Sequence, residues 1–177
     1  MKHLKLIHKK WFKYVALIIL GIGSALSFAP YYYFPFLVAG FSTLFFFLNR
    51  TTSKITGFLL GFCFFGAFGA SSLNWLSQGL LLNDGEFAYL IPALWVFMWI
   101  VYGCFNGAAT FFSTFTKPGY CRLFAFAGWL VAFEWLRTWI WTGFPWNLMG
   151  YALGSGLPLL QSACVWGIYG LSFIVVC

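Results

Sequence analysis

Residues 55–82 read ITGFLLGFCFFGAFGASSLNWLSQGLLL, an apolar run that contains no charged side chain. About 20 apolar residues are enough for a helix to cross the hydrocarbon core of a bilayer, so this run predicts a transmembrane helix. Its small residues, Gly57 and Gly61 among them, let helix backbones approach closely in lipid. We interpret this GxxxG pair as a packing surface and not as a specific dimer signal.

The composition of the whole chain agrees with a membrane protein. Hydrophobic residues make up 62% of the 177 residues and charged residues only 7%, which is too few to cover the surface of a soluble domain. The net charge of +7 does not indicate a nucleic-acid partner, because the basic residues lie between apolar runs and do not gather on one face. The predicted fold is all-α, a polytopic bundle of transmembrane helices.

The apolar runs predict about six spans within a single domain, residues 1–177. The predicted helices cover residues 14–28, 36–48, 55–82, 87–115, 123–140 and 157–177. Residues 14–28 after a basic leader also fit a signal peptide, but five further apolar runs favour a retained helix. The last run is still apolar at Cys177, so we expect the chain to be a fragment of a longer protein.

The basic residues predict the orientation of the bundle. They lie before the first run, at Arg50 and Lys54, and at Lys117 and Arg122. Lys and Arg are retained on the cytoplasmic side, which predicts a cytoplasmic amino terminus. Residues 30–35, 82–86 and 141–156 are then the outer loops.

Glu134 and Arg137 are the charged residues inside a predicted span. Three residues apart on a helix, they share one face and lie within pairing distance. One interpretation is structural, with Glu134 neutralising Arg137 while the guanidinium snorkels toward the outer headgroups. The other makes Arg137 a binding residue whose planar guanidinium grips a lipid phosphate.

The loop after Arg137 is too aromatic for an ordinary solvent loop. Gly143 and Pro145 interrupt the helix, so backbone groups there need water, headgroups or other protein as partners. The loop is either a membrane-interface belt of aromatic residues or a lipid-facing rim. In the second case Trp146 and Tyr151 shape the access of acyl chains.

The sequence offers no evident catalytic, metal or cofactor site. It lacks GxSxG, HExxH and P-loop motifs, and His3 and His8 have no third ligand nearby. The five cysteines form no CxxC pair, and none has an adjacent base that would activate a thiol nucleophile. We therefore predict packing thiols.

Residues 134–151, EWLRTWIWTGFPWNLMGY, strongly resemble the signature of bacterial apolipoprotein N-acyltransferases. The TGFPW core is the specific part. Supporting matches are residues 26–35, LSFAPYYYFP, the pair Asn74 and Trp75, and residues 166–173, WGIYGLSF. Together these segments span most of the chain.

The resemblance implies an inner-membrane enzyme of lipoprotein maturation. Such an enzyme moves an acyl chain from a phospholipid onto the amino group of the lipidated amino-terminal cysteine of an apolipoprotein. In that family a Glu, a Lys and a Cys perform the chemistry through a thioester. They belong to a nitrilase-like periplasmic domain that follows the segments seen here, so we expect this chain to be inactive alone.

The resemblance also orders the candidate residues. Arg137, Trp146 and Tyr151 become candidate substrate-binding residues, and the expected partners are phospholipid, apolipoprotein and membrane lipids. A second set is expected to be structural, namely Glu134, Gly143, Pro145, Asn74 and Trp75. The alternative is a non-enzymatic transporter or channel fragment, which predicts polar residues near the midplane.

Overall fold

A computed structural model describes residues 11–82, 85–140 and 145–177, without the side chains of residues 155 and 157. Regular structure in these residues is entirely helical, which confirms the all-α prediction. The α-helices are α1 (Phe12–Ser24), α2 (Phe34–Asn49), α3 (Lys54–Ser72), α4 (Leu76–Leu80), α5 (Ile91–Ser113), α6 (Tyr120–Ile140), α7 (Leu157–Gln161) and α8 (Ala163–Val176). Short 3-10 helices cover Ala25–Ser27, Ala88–Leu90 and Met149–Ser155.

Three helical segments are long and apolar enough to cross a membrane, Lys54–Ser72, Ala88–Ser113 and Tyr120–Ile140. Three shorter apolar segments, Phe12–Ser27, Phe34–Asn49 and Ala163–Val176, match the remaining predicted spans in position. Local sequence explains several helix starts. The Ser53 hydroxyl accepts the Thr56 N–H at the start of α3, and Pro35 and Pro92 lie in the first turns of α2 and α5, where no backbone donor is lost.

The described bounds differ from the predicted ones in two long runs. The run 55–82 is not one helix, because α3 ends at Ser72 and a turn precedes α4. The Ser77 hydroxyl donates to the Asn74 carbonyl oxygen at 2.6 Å and stabilises that turn. The run 157–177 is likewise divided, since α7 ends at Gln161 and Gly167 has a φ of 65° inside α8.

α3 lies at the centre of the bundle and packs against α1 and α5. Its glycines make the close approach to α5 possible. A Cβ atom at Gly61 would overlap the Thr110 side chain, and one at Gly69 would overlap the Tyr102 ring. This intrachain contact agrees with the interpretation of the GxxxG pair as a packing surface. The rings of Phe41, Phe64 and Phe65 form an edge-to-face cluster beside it.

One end of the bundle, which we call the basic end, carries Arg50, Lys54, Lys117 and Arg122. Arg122 is only 3% exposed, unlike the solvated flanking charge that the sequence suggests. Its guanidinium donates hydrogen bonds to the carbonyl oxygens of Leu48, Thr51 and Thr116 at 2.8 to 2.9 Å. These bonds tie the end of α2 to the connection between α5 and α6, satisfying carbonyls that a helix end leaves free.

The opposite end, which we call the aromatic end, is formed by the connections that follow α1, α3 and α6. Several large aromatic side chains remain exposed there, including Tyr31, Tyr33, Trp75 and Trp139. Tyr and Trp favour the membrane–water interface because the ring can be buried while the polar atom stays wet. The bundle therefore has two chemically distinct ends.

Candidate functional site

A cavity of about 610 Å³ opens at the aromatic end, and we call it the aromatic-end cavity. Three segments distant in sequence form its walls, residues 28–32 after α1, residues 72–75 after α3, and residues 147–160 after α6. A second cavity of about 430 Å³ shares the wall formed by Ala29, Pro30, Ser72 and Trp75. Concave sites that combine apolar walls with a few polar groups are typical of ligand binding.

Unusual backbone conformations are found in this cavity. Tyr32 and Asn147, with φ values of 54° and 42°, are the non-glycine residues of the described chain with positive φ, and both line it. A large aromatic residue in this region is uncommon and must be held by its surroundings. Gly154 contributes to this, since a Cβ atom there would lie 3.0 Å from the Tyr32 ring.

The two candidates Trp75 and Trp146 meet at the cavity although they are far apart in sequence. Their rings stack at a centroid distance of 5.5 Å and an interplanar angle of 15°. The neighbouring Asn74 fixes the end of α3, because its Oδ1 accepts a hydrogen bond from Trp95 Nε1 at 3.0 Å. These positions agree with the expected structural role for Asn74, whereas Trp75 itself lines the cavity.

Beneath the cavity, Glu134 and Arg137 hold the segment that follows α6. The backbone N–H of Met149 donates to Glu134 Oε1 at 3.0 Å, and Arg137 Nη2 donates to the Trp146 carbonyl oxygen at 2.8 Å. Arg137 Nη1 also donates to the Tyr102 hydroxyl at 2.9 Å. Both charged side chains thus bond the returning chain and its neighbours instead of forming the expected hydrogen-bonded pair.

This arrangement changes the interpretation of Arg137. The side chain is only 5% exposed, and its guanidinium carbon lies 4.4 Å from the centroid of the Tyr102 ring. Arg137 therefore faces protein partners and does not snorkel to the surface in the described conformation. Direct contact with a lipid phosphate stays a prediction, and the geometry assigns Arg137 the positioning of Trp146.

The remaining candidates divide between the cavity and its edge. Tyr151 lines the cavity, and burial, together with nearby Tyr169 and Glu134, raises the pKa of its hydroxyl, so this group stays protonated at neutral pH. Pro145 directly precedes the Trp146 turn, in accord with its expected structural role. Gly143, also predicted to be structural, lies outside the described residues.

Sequence reasoning missed Tyr102 and the cavity residues Tyr32, Ser72 and Asn147. Tyr102 is almost fully buried in α5, and its hydroxyl donates to the Trp146 carbonyl oxygen at 2.8 Å. Nothing in the apolar run of α5 distinguishes this tyrosine from an ordinary interface aromatic. Tyr32 and Asn147 lie within the quoted motif segments, which was the available signal.

Together the fold and the site define a helical membrane-domain protein whose aromatic end carries a lined cavity above a buried polar support. Residues 20–177 match the family model described as the apolipoprotein N-acyltransferase N-terminal domain. The chain belongs to the apolipoprotein N-acyltransferase family, which confirms the resemblance found in its motifs.

Curated relatives named apolipoprotein N-acyltransferase agree with this assignment. The chain is 37% identical to the protein of Rickettsia bellii (strain RML369-C), over 92% of this chain and 32% of that protein. It is 36% identical to the protein of Coxiella burnetii (strain RSA 493 / Nine Mile phase I), over 91% and 34% respectively. For the protein of Nitrosomonas europaea the identity is 32%, over 94% and 34%. The chain thus spans about a third of the length of these relatives.

Proposed function

We propose that this chain is the membrane portion of an enzyme that transfers an acyl chain from a phospholipid to the amino-terminal cysteine amine of apolipoproteins. It would lie in the bacterial inner membrane with about six spans and a cytoplasmic amino terminus. The single observation that carries this proposal is the meeting of the motif segments 26–35, 74–75 and 134–151 around one cavity. Residues this far apart converge in a bundle when they serve a common site.

The role proposed for this portion is to position lipid reactants. Holding two lipid-bound reactants at one interface removes much of the entropic cost of their encounter. Trp146 and Tyr151 act at the wall of the aromatic-end cavity, while Glu134, Arg137 and Tyr102 fix the backbone that carries them. The basic end, with Arg50 and Lys117, faces the cytoplasm, so the cavity faces the outer side.

Bond making is assigned to the portion of the relatives that this chain does not span. A thiol nucleophile needs a base and an oxyanion-stabilising group close by. Cys63 is half-buried within α3, and burial among apolar side chains disfavours a thiolate. Cys104, Cys121, Cys164 and Cys177 are exposed side chains of an apolar bundle, and the sequence places no catalytic base beside them.

Complementation tests the proposal directly. The chain would be joined to the remaining two thirds of the Rickettsia bellii relative and expressed in bacteria depleted of their own apolipoprotein N-acyltransferase. We expect growth and N-acylated lipoprotein, measured by mass spectrometry of the lipoprotein amino-terminal peptide. The control joins the same remainder to the relative's own amino-terminal portion. The proposal fails if the control works and our chain, present at an equal level in the membrane, does not.

A second arm tests the division of labour. The purified chain alone, incubated with phospholipid bearing a tagged acyl chain, should form no adduct that hydroxylamine removes, since it offers no activated thiol. A hydroxylamine-sensitive adduct on one of its cysteines, formed at a rate comparable to that of the joined protein, would place the chemistry in this chain.

A further inference from the structure

The lining of the aromatic-end cavity is uncharged throughout the part of the chain that the structure describes. Tyr32, Asn147 and Tyr151 contribute two hydroxyl groups and one amide group to this lining. No hydrogen bond to another described side chain or backbone group engages these three side chains. The cavity thus offers neutral hydrogen-bonding groups to a ligand beside the apolar surfaces of Phe28, Trp75 and Leu160.

Charge complementarity argues against a phosphate in this cavity. Phosphate recognition in proteins relies on Arg, Lys or clustered backbone N–H groups. The nearest described cation is Arg137, whose Nη1 and Nη2 already donate to Tyr102 and to the Trp146 carbonyl. The other described Lys and Arg side chains lie at the opposite end of the bundle. The ligand that fits is one with uncharged oxygen acceptors and apolar chains.

The depth of the cavity agrees with such a ligand. Exposed aromatic residues at the same end, among them Tyr31, Tyr33 and Trp139, indicate the level of the membrane interface. The ester-linked glycerol region of a lipid lies at that level, between the charged headgroup and the hydrocarbon chains. Its carbonyl oxygens accept hydrogen bonds and carry no charge.

We infer that the aromatic-end cavity binds the uncharged, ester-linked glycerol region of a diacyl lipid. Tyr151 and Tyr32 donate to ester carbonyl oxygens, Asn147 contributes its amide, and Trp75 covers the apolar side. This chemistry is shared by a phospholipid acyl donor and by a lipidated cysteine acceptor. The inference rests on the proposed function only for the identity of these two lipids.

Photolabelling of the purified chain in an ester-free detergent such as dodecyl maltoside tests the inference. Each probe carries a diazirine beside its ester or ether linkage. The probes are a neutral diacylglycerol, its dialkyl ether analogue, a phosphatidylglycerol, and a peptide whose amino-terminal cysteine bears a diacylglyceryl group. We expect the diacylglycerol to label chymotryptic peptides covering residues 28–32 and 147–154. The ether analogue, which lacks carbonyl acceptors, should label about fivefold less, the equivalent of one hydrogen bond.

Variants separate binding from folding. Tyr151→Phe removes one hydroxyl, and Asn147→Gly removes the amide while keeping a residue that tolerates positive φ. Each should reduce labelling by the diacylglycerol several-fold at an unchanged circular dichroism spectrum. The matched control is Tyr33→Phe, the same chemical change at a tyrosine that is 57% exposed and does not line the cavity. Labelling of this variant should equal that of the unaltered chain.

The two remaining probes distinguish the sources of the shared chemistry. Labelling by phosphatidylglycerol assigns the cavity to the acyl donor, labelling by the lipidated peptide assigns it to the acceptor, and either result supports the inference. Tenfold stronger labelling by phosphatidylglycerol than by diacylglycerol would overturn it, because the charged headgroup would then be the recognised part. Labelling spread evenly over lipid-facing helices would also overturn it. Since no acyl transfer is measured, successful complementation together with failed labelling would refute this inference alone.

Discussion

At the scale of single residues, the carbonyl oxygen of Trp146 is the point on which the site depends. It accepts hydrogen bonds from the Tyr102 hydroxyl and from Arg137 Nη2, both at 2.8 Å. Two donors on one carbonyl hold the backbone in the position that stacks the Trp146 ring on Trp75. Buried polar groups that are satisfied in this way rigidify their surroundings, because an unpaired group there is costly.

We expect Arg137→Ala to destabilise the chain by on the order of 3 kcal/mol, because it removes charge-assisted hydrogen bonds and leaves the buried Glu134 carboxylate uncompensated. Arg137→Lys should cost less, since Lys keeps the charge but loses the two-pronged geometry. Tyr102→Phe should cost about 1 kcal/mol for its hydroxyl. Denaturant unfolding in detergent, followed by circular dichroism, measures all three.

The matched control is Arg50→Ala, which removes an exposed arginine that lies over the Phe46 ring. An exposed cation–π contact contributes at most about 1 kcal/mol, so this variant should stay close to the unaltered chain. Equal stability of Arg137→Ala and Arg50→Ala would refute the positioning role of Arg137.

At the scale of helices, the contact between α3 and α5 decides the packing. The glycines of α3 lie against Thr110, Tyr102 and Trp99 of α5, with no room for a Cβ atom. In lipid, helices associate through close packing and not through exclusion of apolar surface from water, so small residues at the contact are decisive.

Gly61→Ala should destabilise the chain by about 1–3 kcal/mol, because its methyl group would displace Thr110 or the α5 backbone near Gly107. The matched control is Gly128→Ala in α6, where an added Cβ atom meets nothing within 4 Å. There the change should be neutral or stabilising by up to about 1 kcal/mol, since Ala favours a helix. The same detergent unfolding measurement applies, and equal effects at the two positions would contradict the packing argument.

At the scale of the whole molecule, the basic end and the aromatic end predict the orientation in the membrane. Alkaline phosphatase fused after Gly85 should be active, whereas fusions after Arg50 and after Lys117 should be inactive, because basic connections are retained in the cytoplasm. Protein levels of the fusions serve as the control. High activity at Arg50 or Lys117 with low activity at Gly85 would invert the topology, and with it the outward-facing position of the cavity.

The positions of the apolar segments could be predicted from sequence because hydrophobicity is a local property that lipid selects directly. The segment ends could not. Residues 55–82 are uniformly apolar, so nothing in their hydrophobicity marks the turn after Ser72, which hydrogen bonding to Asn74 stabilises. The break at Gly167 escaped for the same reason, since glycine is common in membrane helices and only its backbone angles distinguish packing from a kink.

The sequence by itself determined the all-α class, the approximate positions of the helices and, through residues 134–151, the family. Only the tertiary structure decided that Arg137 faces inward to Tyr102 and Trp146, and that Tyr32, Asn147 and Tyr151 share one cavity. The physical reason is the range of the interactions. Hydrophobicity and motif identity act within a segment, whereas hydrogen-bond partners and cavity walls come from segments up to a hundred residues apart, which the chain brings together only when it folds.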